Sequence, residues 1–188
     1  MAGYTILLVD DEAPILKALS RLLQYEGYTI RSTTRPEEVA DILREEEIHL
    51  VISDHTMPGM TGIEVLRTAR LIRPDAVRLI LTGNADLQMA MDAVNQGEIY
   101  RFLTKPWDNN DLLLTVRMGL REYEIALQNK RLSKVVRQQA ETIKRLREQL
   151  SGAPAAGTAA APAPKASGKA VFTISDEELA ALEKEYDL

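Results

Sequence analysis

The chain has 188 residues, 45% of them hydrophobic, enough for one core of ordinary domain size plus further segments. A net charge of −5 argues against nucleic-acid binding through a general basic surface. The lack of cysteine excludes disulfides and thiolate metal sites, and two histidines exclude most zinc chemistry built on imidazole clusters.

In chain order, short β-branched or apolar runs at 5–9, 29–33, 50–53, 77–82 and 100–104 predict five strands. The segments between them carry helical periodicity. "PILKALSRLLQYEG" puts Ile15, Leu16, Leu19, Leu22 and Leu23 on one face and stops at Gly27. "RPEEVADILREEE" opens on Pro36 and acids, which suit a helix start. "GIEVLRTARLIRP" stops before Pro74, "DLQMAMDAVNQG" runs to Gly97, and "DNNDLLLTVRMGL" comes after Pro106. Strands alternating with helices predict an α/β fold with a parallel sheet, whose ligands sit beyond the carboxyl ends of the strands.

That rule directs attention to the residues just past each strand. "ILLVDDE" ends an apolar run in Asp10, Asp11 and Glu12, three acids that repel where water is scarce. The third strand runs into Asp54 in "VISDHTMPGMTG", the fourth ends at Thr82 in "LILTGNAD", and the fifth reaches Lys105 in "YRFLTKPWD". Three carboxylates, a hydroxyl and an ammonium thus gather along one edge. Carboxylate oxygens are hard ligands that suit Mg²⁺. One carboxylate can attack phosphorus while lysine and hydroxyl bind the transferred oxygens, which covers most of what phosphoryl transfer requires.

With "LLVDDE", "VISDHTMPGMTG", "LTG" and "LTKPW" in this order, residues 4–122 resemble the response-regulator receiver domain of two-component signalling. The resemblance implies a flavodoxin-like, doubly wound five-stranded parallel sheet of order 2-1-3-4-5 with five helices. It implies Asp54 as phosphoacceptor, charged by a sensor histidine kinase or a histidine phosphotransfer protein. Mg²⁺ would be ligated by Asp11, Asp54 and the Thr56 carbonyl, with Asp10 acting through a bound water. Lys105 would pair with Asp54 or its phosphate, Thr82 would donate to a phosphoryl oxygen, and Phe102 would be the aromatic switch. Thr56 and Asn84 would tune the phosphate lifetime, and the Lys105–Pro106 bond would be cis.

Plainer readings stand beside these. Asp10–Asp11 alone could cap a helix, and Glu12 reads as a solvated first-turn acid. His49 and His55 read as surface residues, and Met57, Met89 and Met91 as packing or surface. Trp107 reads as a partner surface or as a half-exposed cover at the base of the fifth helix. A phosphatase of the haloacid dehalogenase type also uses strand-end aspartates. It needs a second Asp two residues after its nucleophile, where this chain has Glu12 after Asp10 and Thr56 after Asp54.

The fifth helix does not obviously stop. A heptad over 123–150 puts Asn129, Val136, Ile143 and Leu150 at a, and Ile125, Leu132, Gln139 and Leu146 at d. A parallel homodimeric coiled coil is the expectation there. Residues 151–170 are an Ala/Pro/Gly stretch expected to be disordered. In 171–188, Ser175 and Glu178 form a capping box ahead of a short acidic helix with Leu179, Leu182 and Tyr186 on one face. That peptide is expected to dock a protein partner or its own receiver. The domain plan is 1–122 receiver, 123–150 helical extension, 151–170 linker and 171–188 acidic peptide.

No output domain, P-loop or DNA-binding module is read after the receiver. The expectation is a phosphorylation switch, not an enzyme beyond its own phosphorylation and dephosphorylation. Its output would run through protein contacts or dimer geometry, or through a separate enzyme or sigma-factor pathway reached by the tail. Nothing resembles a secretory signal or a span of roughly 20 apolar residues, so neither membrane nor nucleic acid is expected and a cytoplasmic location is.

Overall fold

A computed structural model of the chain describes residues 3–83 and 87–151. Asn84, the Ala/Pro/Gly stretch from 152 onward and the acidic peptide 171–188 lie outside the described residues.

Residues Met1–Asn129 form the first of two compact units. Its strands are β1 (Thr5–Val9), β2 (Thr29–Thr33), β3 (Leu50–Asp54), β4 (Val77–Thr82) and β5 (Arg101–Thr104). All pair in parallel in the order β2-β1-β3-β4-β5. The helices are α1 (Ala13–Tyr25), α2 (Val39–Glu45), α3 (Gly62–Ile72), α4 (Leu87–Asn95) and α5 (Asn109–Ser151). The expected second helix is split: Pro36–Glu38 make a single 3₁₀ turn and α2 proper starts at Val39.

Two-residue alternation divides the inner strands between two cores. Leu7, Val9, Val51 and Ile80 pack with Val39, Leu43, Val65, Leu66, Ala69 and Ala90 of α2, α3 and α4. Ile6, Leu8, Leu50, Ile52, Leu79 and Leu81 pack with Leu16, Leu19 and Leu23 of α1 and Leu112, Val116 and Leu120 of α5. Covered on both faces, β3 is buried at every position, which is why Leu50, Val51 and Ile52 follow one another without alternation before Ser53 and Asp54. The edge strands β2 and β5 each carry exposed residues. Gly27 stops α1 with φ +87°, a conformation other residues rarely adopt. Gly119 lets α5 lie close to the sheet: a Cβ there would stand 3.0 Å from Val77 Cγ1 and 3.3 Å from Leu50 Cδ1.

The amino ends of the strands are closed by His49, which the sequence reading places on the surface. It is half-buried instead. Its Nδ1 accepts the Thr5 backbone N–H at 3.0 Å, so this nitrogen carries no proton. The ring lies edge-on between Tyr4 and Tyr123, with centroids 5.4 and 5.2 Å away. The Tyr4 hydroxyl donates to Glu124 of α5. That hydrogen bond, with help from burial and the Glu124 charge, pushes the phenol up to about 12. Nearby, the Arg78 guanidinium donates to the carbonyls of Glu98 (2.7 Å) and Ala76 (2.8 Å), and burial pulls it below its ordinary pKa.

In the second unit, Lys130–Leu188, the described residues 130–151 are helical throughout. Leu132, Val136, Ile143 and Leu146 there are 47–62% exposed.

Candidate functional site

The sheet ladder continues one step beyond three strands and fixes the residues at their carboxyl ends. The His55 N–H donates to the Leu81 carbonyl at 2.8 Å, Lys105 N–H to Thr82 at 2.8 Å, and Asp10 N–H to Thr33 at 3.4 Å. Residues 95 positions apart therefore meet at the carboxyl edge of the sheet.

Lys105 stands at the centre. Its Nζ lies 2.7 Å from Asp54 Oδ1 and 2.9 Å from Asp10 Oδ2. Burial alone would push this ammonium down, but its hydrogen bonds to Asp54 and Asp10 and their charges hold it above the ordinary lysine value. It stays protonated throughout the neutral range and is shared by the two carboxylates. The sequence reading pairs Lys105 with Asp54 and gives no direct contact to Asp10. The structure brings all three together.

Asp10 is 1% and Asp54 7% exposed, while Asp11 is exposed. Asp10 Oδ1 also accepts the Glu12 N–H at 2.8 Å, so this carboxylate does support the start of α1. Glu12, expected as a solvated first-turn acid, is exposed but stands one step earlier, as the N-cap residue, and makes no side-chain cap. Asp54 Oδ2 accepts the Thr56 N–H at 3.2 Å. Carboxylate oxygens of Asp10, Asp11 and Asp54 lie within 4.8 Å of one another. One lysine stands against these three acids, so negative charge is in excess within the group. An all-oxygen donor set of this charge fits a hard divalent cation such as Mg²⁺.

Thr82 is fully buried at the end of β4, and its hydroxyl donates to the Gly83 carbonyl at 3.1 Å. Phe102 on β5 is half-buried and packs on the α2–α3–α4 core. The Lys105–Pro106 bond is cis, as the resemblance implies. Asn84 lies outside the described residues. Trp107 is half-buried against the α1–α5 core, matching the cover reading.

Two features of the site escape sequence reasoning. His55, expected on the surface, is 4% exposed, and its Nδ1 has no hydrogen-bond partner among the described residues. Its position just after an all-buried strand is the signal that could have placed it inside. Gly62 opens α3 against the end of β3, and its N–H donates to the His55 carbonyl at 2.8 Å. A Cβ at Gly62 would collide with the Asp54 carbonyl oxygen and stand 2.9 Å from its carbon. Only glycine lets α3 approach this closely. Thr61 completes that start with a capping box: Glu64 Oε2 accepts the Thr61 N–H at 2.8 Å, and Thr61 Oγ1 accepts the Glu64 N–H at 3.4 Å.

Comparison with known proteins agrees with this arrangement. The family model "Response regulator receiver domain" matches residues 6–117. The hydrogenase transcriptional regulatory protein HoxA of Cupriavidus necator is 33% identical over 116 residues, 62% of this chain and 24% of HoxA. The chain thus spans about a quarter of that curated relative. Among solved structures, the signal receiver domain of an HD domain-containing protein from Pseudomonas fluorescens Pf-5 aligns with TM-score 0.63 at 36% identity. That alignment covers 68% of this chain and 94% of the other. The beryllofluoride-activated NtrC4 receiver domain dimer aligns with TM-score 0.59 at 30% identity, covering 63% and 98%. From its motifs, its sheet order and this match over most of the first unit, the chain belongs to the response regulator receiver domain family of two-component signal transduction.

Proposed function

We propose that this chain is a phosphorylation-dependent switch whose acceptor is Asp54, charged by a histidine kinase or a histidine phosphotransfer protein. The observation that carries the reading is the Lys105 ammonium held between Asp54 and Asp10 at 2.7 and 2.9 Å, beside a third carboxylate. Asp54 Oδ attacks the phosphorus of a phosphohistidine; the P–O bond forms as the P–N bond breaks, and imidazole leaves. Asp11, Asp54 and the Thr56 carbonyl would hold Mg²⁺. Asp10, already engaged by Lys105 and the Glu12 N–H, is suited to an outer role through water. When bound, Mg²⁺ supplies positive charge that offsets the acids and the incoming phosphoryl oxygens.

Lys105 then exchanges a carboxylate partner for a phosphoryl oxygen. Thr82 rotates its hydroxyl from the Gly83 carbonyl toward the phosphate, and Phe102 repacks into the space that opens. Thr56 and Asn84 would set how long the phosphate lasts. The change spreads over the face of α4, β5 and α5. Output runs through protein contacts or through dimer geometry along the heptad of α5. The exposed Leu132, Val136, Ile143 and Leu146 support a second copy there, and a related receiver is known as an activated dimer. The domain plan of receiver to 122, coiled coil over 123–150, linker over 151–170 and acidic peptide over 171–188 belongs to this reading, as does a cytoplasmic location.

Incubation of the full chain with Mg²⁺ and a small phosphodonor such as acetyl phosphate tests the assignment. One phosphoryl group per chain is expected, lost in Asp54→Asn and on metal chelation. Equal labelling of Asp54→Asn, or repeated turnover of a phosphate ester, refutes it. Sedimentation mass of the full chain tests the second copy; a monomer at high micromolar concentration refutes it.

A further inference from the structure

The described stretch of the second unit carries a charge pattern that neither phosphorylation nor dimerisation uses. Between 130 and 148 there are seven basic and two acidic residues, in a chain whose overall charge is −5. They are not spread evenly. Lys130, Arg137 and Lys144 recur every seven residues, and Arg131 and Arg145 stand one step further on the same side. At 1.5 Å per residue these five cations form a stripe about 20 Å long. Arg131, Arg137, Lys144 and Arg145 are exposed. The two acids, Glu141 and Glu148, lie on a neighbouring row, where Glu141 pairs loosely with Arg137 at 3.7 Å. The stripe also lies off the a and d positions, so a second copy seated on Leu132, Val136 and Ile143 would leave it open.

The chain contains its own complement. Residues 176–187 hold six acids, Asp176, Glu177, Glu178, Glu183, Glu185 and Asp187, against the single Lys184. As a helix this segment would be about 17 Å long, close to the length of the stripe. The tether between them, residues 152–175, holds no acid. Twenty-four residues of such composition have an end-to-end distance of about 27 Å. The near end of the stripe, Arg145, lies about 9 Å along the helix from Ser151. Reach, length and sign therefore agree, and a tether this short gives an effective concentration of about millimolar.

We infer that the acidic peptide 176–187 docks along the basic stripe of α5 in the same chain and shields it from other anions. Removal of residues 171–188, which carry six acids and one lysine, then exposes a polyanion-binding helix in a chain left with no net charge. The proposal is independent of Asp54 chemistry and stands or falls without it.

Zero-length carbodiimide cross-linking of the full chain, read by peptide mass spectrometry, tests the contact. Amide links from the tail carboxylates to Lys130 and Lys144 are expected well above those to Lys17 on α1, and they should fall in 0.5 M salt. R131E/R137E/R145E, which keeps both acceptor lysines, should lose these links, and adding E177K/E178K/E183K should restore them. Links spread equally over Lys17, or unmoved by the charge reversal, overturn the proposal. Links joining heavy and light copies in an isotope mixture overturn the same-chain assignment. Deleting 171–188 should tighten binding to heparin or to a short DNA duplex about tenfold. Binding by the full chain as tight as that of the truncated chain overturns shielding.

Discussion

The two ends of the sheet are built from the same five strands and do opposite things. At the carboxyl ends, Asp10 and Asp54 are buried together and held by one shared lysine. At the amino ends, His49 fills a gap between Tyr4 and Tyr123 with its acceptor satisfied, and Arg78 is matched to backbone carbonyls. One end stores unbalanced charge; the other has balanced its polar groups. The contrast teaches where this fold tolerates instability. A site that must accept a cation and a phosphoryl group has to be poor in compensation beforehand, and the opposite end supplies the rigidity that holds it.

Lys105→Met attacks the contrast most directly. Removing one member of a buried charged cluster strands the others, so stability should fall by about 3 kcal/mol. Millimolar Mg²⁺ should recover part of that loss in chemical denaturation, and equal loss with and without Mg²⁺ would contradict the excess of negative charge. Gly62→Ala comes next. Its Cβ meets backbone that cannot move without shifting Asp54, so a loss of about 2–3 kcal/mol is expected, with slower Asp54 phosphorylation. Wild-type labelling rates in that variant would show the approach of α3 to be dispensable.

At the other end, His49→Ala leaves the Thr5 N–H unsatisfied and should lower stability by about 1–2 kcal/mol. Labelling stoichiometry at Asp54 should not change, which separates the supporting end from the reacting one. The smallest effect is that of Tyr4→Phe, well under 1 kcal/mol for so exposed a group. Its clearest reading is spectroscopic. Because the folded phenol is raised to about 12 from an unfolded value near 10, its contribution is complete below pH 10 and is lost as pH climbs through 12. Burial also raises Tyr28, so absorbance titration should show late tyrosine ionisation that shrinks, without vanishing, in Tyr4→Phe.

Much of this was legible in the residues because the signals are local. Apolar runs of strand length, helical periods and the stops at Gly27 and Gly97 predict the α/β alternation, and the strand-end rule then gathers Asp10, Asp54, Thr82 and Lys105. What escaped depends on three dimensions. A histidine scores as polar wherever it stands, so only its place just after a strand marks His55 as buried, and nothing local marks His49 as the hub of three distant elements. Gly62 looks like an ordinary loop glycine until α3 is seen against the end of β3. The Asp10–Lys105 pair joins residues 95 apart, and spacing alone does not choose between Asp10 and Asp54 as the lysine's partner. The split of the second helix stems from Pro36, whose fixed geometry suits a tight first turn.

The shared lysine has a consequence for how the aspartates are assigned their parts. Asp10 and Asp54 draw on one ammonium, so neither sees the same surroundings once the other is neutralised. Asparagine at either position hands Lys105 wholly to its neighbour. The two substitutions are therefore non-additive, and each aspartate's part is defined only with the other in place.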